Sequence, residues 1–460
     1  MVRPLPAAEP APRAIEVPWI DPERAYLALF ARAEASFWLD SGAAAREGRS
    51  YLGMSGDVLE VAAGGAIDDA LALVDAETRG GEPALGRYGW ISYEAGAASL
   101  GLPAVSPRSD DPPALMLLRG DPVLVVDHAL GTARVVGTTA EAEALALAVV
   151  ALASLPEPVP PPRPPEPAGP PRWRHDPVHY AALIARCQAA IRAGDAYQLC
   201  LTNQVEVEGG FDPVEAYRRL RRTSPSHHGG LIRRGGLALV SASPERFLTG
   251  SAQGRLATHP IKGTRARGRD PEEDASLRDE LLASVKERAE NVMIVDLVRN
   301  DLARIATLGT VSVDRLLEVE SYTQVHQLVS EISALRAPGV GLAELLAATF
   351  PAGSMTGAPK RRAVEVLREA EGGPRGIYSG AFGRLGSDGS LDLAMTIRTL
   401  VIDAHRARLG TGGGITALSV AAEEIEETRL KARALLDVLG AKSETPPPAG
   451  ARGGEGGRGQ

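Results

Sequence analysis

Lys286-Glu287-Arg288-Ala289-Glu290-Asn291-Val292-Met293-Ile294-Val295-Asp296-Leu297-Val298-Arg299-Asn300-Asp301 is the stretch around which the chain organises. It falls inside Ala275 to Arg304, which reads as one or two helices, and strand-like Leu237 to Ser241 and Thr323 to Leu335 lie on either side of it. Working outward, Pro177 to Ala193 reads as a helix ended by Gly194, followed by a strand from Tyr197 to Val207. Ala343 to Thr349 and Lys360 to Ala370 are shorter helices. Arg375 to Leu385 and Ser390 to Asp403 form a hairpin around Ser387-Asp388-Gly389, and Ala421 to Leu439 is strongly helical. Nearer the N-terminus, Phe37 to Ser41 and Arg87 to Tyr93 read as strands and Ala66 to Glu77 as a helix. Strands and helices are interspersed without an internal repeat, which predicts an α+β or layered α/β body.

A chain of 460 residues is long enough for one large catalytic body or two coupled subdomains. Hydrophobic residues make up 44% and charged residues 23%, so a core can form and wholesale disorder is excluded. The net charge of −8 and an aromatic content of 4% argue against nucleic acid as a partner. No apolar export segment is visible near Met1. The longest apolar stretch, Ala144 to Leu155, is shorter than the roughly 20 residues needed to span a bilayer and reads as a buried helix. No membrane association is expected, and two cysteines, Cys187 and Cys200, suit a reducing, cytoplasmic setting. A proline run from Pro156 to Pro171 and a Gly/Arg/Pro tail divide the chain into 1–172, 173–441 and a disordered 442–460.

Two carboxylate pairs carry potential chemistry. Glu287 and Glu290 are three apart on one helix, as are Glu424 and Glu427 on another. Facing one another, they would need a cation, and hard oxygen ligands suit magnesium. Spacing alone favours two solvated faces with a Glu427 to Lys431 salt bridge without deciding the matter. Gly412-Gly413-Gly414 could approach an anion or form a tight turn, the commoner role. Gly353 to Lys360 is not a phosphate loop, because the spacing is one residue short and Pro359 lacks an N–H. Taken singly, His326 in a strand reads as a core histidine and Lys262 as a turn lysine.

Together these segments resemble the chorismate-utilising enzymes. The match runs in order through Gly194 to Gln198, Ser243-Pro244-Glu245, Pro260 to Arg265, Arg288 to Asp301, Pro351 to Lys360, Gly376 to Gly380, Gly412 to Gly414 and Glu424 to Thr428. Leu39 to Ser41 and Gly89 to Tyr93 resemble the N-terminal motifs of the amine-forming branch. The resemblance implies a layered β-sandwich flanked by helices, with the proline run a surface loop inside one fold. It also implies Mg2+ held by Glu290 and Glu427, with Glu287 and Glu424 binding through water. Glu245 is implied as the general acid for a departing hydroxyl, with His326 beside it. Tyr378, Arg398, Gly413, Gly414 and Lys431 would contact the substrate, with Thr264 and Gln198 lining the pocket.

Two positions separate the family's branches. Water-using members resemble one another in carrying a lysine base where this chain has Gln198, and an amide cannot take a proton from water. Lys262, in Pro260-Ile261-Lys262-Gly263-Thr264, resembles the form found in aminodeoxychorismate synthases, where this amine attacks the ring. The implied partners are chorismate and ammonia from a separate glutamine amidotransferase, since neither cysteine has a glutaminase context. Anthranilate synthase component I is the alternative enzyme. A silent chorismate-binding scaffold is disfavoured by the joint presence of Glu245, Lys262, Glu290 and Glu427.

Overall fold

A computed structural model describes residues 11–78, 80–103, 106–152, 160–164, 166–167, 169–322 and 325–441. The tail expected to be disordered and part of the proline run lie outside the described residues.

Two large antiparallel sheets face one another. The first runs in the order Arg13–Val17, Thr132–Gly137, Val123–Asp127, Arg49–Met54, Ala35–Asp40, His228–Arg234, Leu237–Ser243, Thr399–Ile402, Arg406–Ile415, Gln198–Glu208, Gly357–Ala358. The second runs Ile261–Ala266, Val325–Leu335, Arg255–Thr258, Arg246–Gly250, Leu391–Met395, Ala381–Gly386, Gly86–Ile91, Leu115–Gly120, Val58–Val61. Between them Phe37, Tyr88, Trp90, Met116, Ile232 and Phe382 are buried, with Phe37 stacked on Tyr88 at 4.0 Å. Alternation along each strand sends the other face outward to helices. Trp38, Leu231 and Val240 pack with residues of the helices Pro22–Leu29, Pro213–Thr223 and Ala421–Val438, while Leu248, Leu256 and Ile332 pack with residues of Val285–Ala303 and Leu342–Thr349. This is the expected layered sandwich with helices outside.

The two halves of the sequence share both sheets. Ala35–Asp40 pairs with His228–Arg234, and Gly86–Ile91 with Ala381–Gly386. The second seam depends on a close approach: a Cβ on Gly86 would lie 2.1 Å from the Leu385 carbonyl oxygen.

Three local expectations are corrected. Ser390 to Asp403 is not one hairpin arm, because Leu391–Met395 pairs in the second sheet and Thr399–Ile402 in the first. The chain changes sheet between them at a corner of the sandwich. Gly412 to Gly414 do not form a turn; they lie inside the strand Arg406–Ile415, paired with Gln198–Glu208. The apolar helix is Ala140–Leu152, and it is not wholly buried: Ala142, Leu145 and Val149 face the core while Leu147 is 72% exposed. Among the described residues no helix is long and apolar enough to cross a membrane.

Lys360 opens the helix Lys360–Glu371 and is buried, its Nζ 2.6 Å from Asp301 Oδ2 and donating to the Thr349 carbonyl at 3.0 Å. The lysine that mimics a phosphate loop is thus an internal strut. Burial raises the Asp301 pKa to about 6 against the pull of Lys360. Lys360→Met should therefore cost about 3–5 kcal/mol at pH 8, where it strands a charged carboxylate, and less at pH 5, where Asp301 takes up a proton. Urea denaturation at the two pH values measures the difference.

Candidate active site

The site forms where the chain passes between sheets. Leu237–Ser243 belongs to the first sheet and Arg246–Gly250 to the second, so Ser243-Pro244-Glu245 is a corner. The neighbouring corner, Met395 to Thr399, is tied to it by Met395 N–H donating to the Glu245 carbonyl at 3.0 Å. The Glu245 side chain is buried. Burial pushes its pKa up, opposed by the charge of Lys262, a hydrogen bond from Ser354 and the charge of Lys431. A carboxyl whose pKa is raised by burial suits a proton donor.

Lys262 is half-buried at an irregularity in the pairing of Ile261–Ala266 with Val325–Leu335, between the pairs Ile261 with Val329 and Thr264 with Gln327. A bulge re-aims the side chains it carries. Gly263 makes it feasible: its φ is +87°, and a Cβ there would meet Leu281 at 2.8 Å. The charge of Lys262 bears on Glu245, Glu290 and Glu427, lowering the pKa of each.

Glu287 and Glu290 sit in the first turns of Val285–Ala303, whose N-cap Ser284 accepts the Glu287 N–H. Glu424 lies in the first turn of Ala421–Val438, with Glu427 one turn on. The two helices meet at this end, where Lys286 Nζ lies 3.8 Å from Glu424 Oε1. Glu290 is buried and its Oε1 has no hydrogen-bond partner among the described residues. Burial raises its pKa, Lys262 lowers it, and Glu287 and Glu424 raise it further by like-charge repulsion. Burial likewise raises Glu424, with Glu427 adding to the effect and a hydrogen bond from Ser419 opposing it. Glu427 is held low, the burial cost being overcome by Lys431, whose Nζ lies 2.6 Å away. The i, i+4 salt bridge expected of a solvated helix face thus exists, on the helix that also carries Glu424. Among the described residues no three carboxylate, histidine or cysteine side chains are disposed to hold a metal as they stand. The unpartnered Glu290 Oε1 and the mutual repulsion of the glutamates nonetheless fit a divalent cation.

The floor is made of glycines because side chains would collide with what it supports. A Cβ on Gly412 would lie 2.3 Å from the Leu201 carbonyl oxygen, on Gly413 2.9 Å from Glu424 Oε2, and on Gly414 2.0 Å from Gln198 Nε2. Gln198 is buried with Oε1 unpartnered. Lys431 Nζ also donates to the Gly412 carbonyl at 2.8 Å. Tyr378 lies against the same strand: a Cβ on Gly410 would fall within its ring. Arg398 donates to the Lys431 carbonyl at 3.4 Å and forms no ion pair among the described residues. Its φ of +51°, and +65° at Ser379, are left-handed conformations that cost a side-chain-bearing residue about 1–3 kcal/mol each. Thr264 is exposed on the strand Ile261–Ala266.

His326 is not turned to the acid. Its Nδ1 pairs with Ser321 Oγ at 2.8 Å and its Nε2 with Asp274 Oδ1 at 3.0 Å, and Asp274 is itself gripped by Arg267. The sequence pattern alone gives no role to Ser354, Lys286, Ser419 or Asp274. Ser354 was within reach, since it falls in a motif adjoining the acid's pocket.

Residues 23–437 match the family described as chorismate binding enzyme. The chain belongs to that family. An aminodeoxychorismate synthase of Streptomyces griseus is 43% identical over 366 residues, 77% of this chain and 50% of that protein. An anthranilate synthase component 1 of Thermus thermophilus is 37% identical over 77% of each chain. The crystal structure of anthranilate synthase component I from Streptococcus pneumoniae superposes with a TM-score of 0.72 at 26% identity, covering 95% of this chain and 93% of that one. The chain spans half the length of its Streptomyces griseus relative. The residues of the site described here lie within the matched span.

Gly414→Ala should displace the Gln198 amide and weaken chorismate binding about tenfold or more, while Gly412→Ala should cost about 1–3 kcal/mol of stability by overpacking the strand. Fluorescence titration with chorismate and thermal unfolding separate the two effects.

Proposed function

We propose that this chain is the chorismate-converting component of an aminodeoxychorismate synthase, forming 4-amino-4-deoxychorismate from chorismate and ammonia for p-aminobenzoate and folate synthesis. The observation that supports the reading is Lys262, which sits at the bulge in its strand and whose charge bears on Glu245 and Glu290. The name of the Streptomyces griseus relative supports it. Gln198, whose amide cannot act as a base toward water, argues against the hydroxylating reactions.

In the proposed sequence the unprotonated Lys262 amine attacks ring carbon C2. The diene electrons shift and the C4 oxygen leaves, taking the Glu245 proton and departing as water. Ammonia then attacks C4, the electrons shift back, Lys262 leaves C2 as a neutral amine, and the Glu245 carboxylate removes a proton from the new C4 ammonium. The proton account closes and the acid is regenerated. Arg398, Tyr378 and Lys431 orient the substrate carboxylates over the Gly413–Gly414 floor. Glu290 and Glu427, backed by Glu287 and Glu424, would hold Mg2+, which when bound would neutralise the ring carboxylate and withdraw electrons from the ring. A role for His326 at the leaving hydroxyl requires its contact with Asp274 to open. Thr264 borders the entrance.

Both cysteines are buried and burial raises their thiols, which suits neither for glutaminase chemistry and both for a reducing cytoplasm. Ammonia is therefore assigned to a glutamine amidotransferase unit outside these 460 residues. The second reading, anthranilate synthase component I, is favoured by the Thermus thermophilus relative, which matches over 77% of its own length.

Product mass distinguishes the readings, because aminodeoxychorismate keeps the enolpyruvyl group and anthranilate formation releases it. Chorismate and Mg2+ without ammonia should leave, in intact-mass analysis, an adduct of chorismate less water on the peptide containing Lys262, absent in Lys262→Ala. Unchanged turnover in Lys262→Ala would overturn the covalent route. Glu245→Gln should lower turnover about 10²–10⁴-fold. Since Glu245 must be protonated to act, the wild-type rate should fall as pH rises through its raised pKa. Glu290→Gln and Glu427→Gln should each need more Mg2+ for half-maximal turnover.

A further inference from the structure

The segment Arg375 to Gly380 carries Tyr378 but has no regular backbone pairing of its own. Its conformation includes the left-handed Ser379, with a φ of +65°. Such a residue persists only where its surroundings over-determine it. Part of that constraint is local: Ser379 N–H donates to the Thr396 carbonyl at 2.9 Å and Gly380 N–H to the Ile377 carbonyl at 3.0 Å.

The rest comes from the N-terminal half of the chain. The helix Tyr93–Ser99 presents Glu94, whose Oε1 accepts the Arg375 N–H at 2.7 Å and whose Oε2 accepts the Gly376 N–H at 3.0 Å. Tyr93 N–H donates to the Gly376 carbonyl at 2.9 Å, and the Tyr93 ring lies under the Arg375 guanidinium at 4.3 Å from its centroid. A single carboxylate thus holds two successive backbone donors just ahead of Tyr378. We propose that Glu94 is a positioning residue for chorismate: by clamping the Arg375 and Gly376 N–H groups it fixes the backbone that presents Tyr378 to the substrate. The proposal rests on the reading of Tyr378 as a substrate contact, and not on which amine product is made.

Glu94 borders a surface cleft with Tyr93, Glu365, Arg368, Glu369, Glu371 and Arg375, so protons can reach it. The charges that bear on it are those of Arg375 and, from the adjoining strand connection, Arg174, and Glu365, Arg368, Glu369 and Glu371 line the same cleft. Burial raises its pKa to about 7, against the pull of the Arg375 and Gly376 N–H groups and the Arg375 charge. The clamp is strongest with Glu94 ionised, when both oxygens accept. It weakens as pH falls through about 7 and one oxygen becomes a donor.

The test is equilibrium binding of chorismate, with chorismate consumption measured whatever the product, so that a wrong product assignment and a failed clamp give different results. In the wild type the Kd for chorismate should rise as pH falls through about 7. Glu94→Gln, which offers one acceptor oxygen where two are needed, should raise Kd about tenfold at pH 8 and remove that pH-dependent component. Its maximal rate of consumption at saturating chorismate should stay within about threefold of wild type. A protein merely destabilised would lose maximal rate in proportion to folded protein and keep its Kd. Should Glu94→Gln not fold, Glu94→Asp keeps the charge but withdraws it by one methylene, and it should show the raised Kd with the pH dependence retained. A wild-type Kd in the folded variant, or a wild-type profile with no component near pH 7, overturns the proposal.

Discussion

The guanidinium of Arg375 is the interaction on which the rest of the molecule leans. Fully enclosed, it binds both oxygens of Glu371, donates to the carbonyls of Met355 and Cys200, and stacks on Tyr93. Those partners belong to a helix end, the segment before the Gly357–Ala358 strand, the strand under the glycine floor and the N-terminal half. Glu371 in turn accepts from the Thr202 N–H and hydroxyl, anchoring the floor strand a second time. An arginine can do this because its donors form a rigid fork and it keeps its charge when buried. Losing any one of these partners would leave a buried charge or carbonyl unmatched, which is far more costly than the bond itself is favourable.

Around that hub the site is assembled from features that would be unfavourable elsewhere. Two corners where the chain changes sheet, one bulge and two left-handed residues bring Glu245, Lys262, Tyr378 and Arg398 to one end of the sandwich. The carboxylates of two helix starts repel one another there, while the cations Lys262, Lys286 and Lys431 moderate them. Strain and like charge are concentrated at this end, where a divalent cation would relieve the repulsion, and a continuous apolar core holds the corners in place.

Much of this was legible from the residues. The helices Pro177–Arg192 and Ala421–Val438 and the strand Gln198–Glu208 follow from periodicity and from Gly194 as a stop, because their burial pattern is local. The glutamate pairs were visible as pairs, but their convergence depends on how two helices distant in sequence meet, and spacing cannot encode that. The Gly412–Gly414 run misled as a turn, since a stretch without side chains signals close approach without saying whether a loop or a strand makes it. The split of Ser390 to Asp403 between sheets escaped for a similar reason: both arms are good strands, and only tertiary pairing decides that they part company at Thr396 to Arg398. His326 was placed beside the acid by resemblance, whereas its ring is occupied by Ser321 and Asp274, a pairing across elements that no local pattern announces.

The shared sheets bear on how the chain is made. Ala35–Asp40 finds its partner strand His228–Arg234 only after roughly 190 further residues, and Gly86–Ile91 must wait for Ala381–Gly386, roughly 290 residues later. At about 5–20 residues per second the first of these edges stays open on the ribosome for about 10–40 s. During that interval the nascent N-terminal half exposes two unpaired strand edges rich in Phe, Trp, Tyr and Leu, the kind of surface that seeks out other chains. Synthesis of this enzyme thus has a built-in vulnerable period, set by topology rather than by the stability of the finished fold.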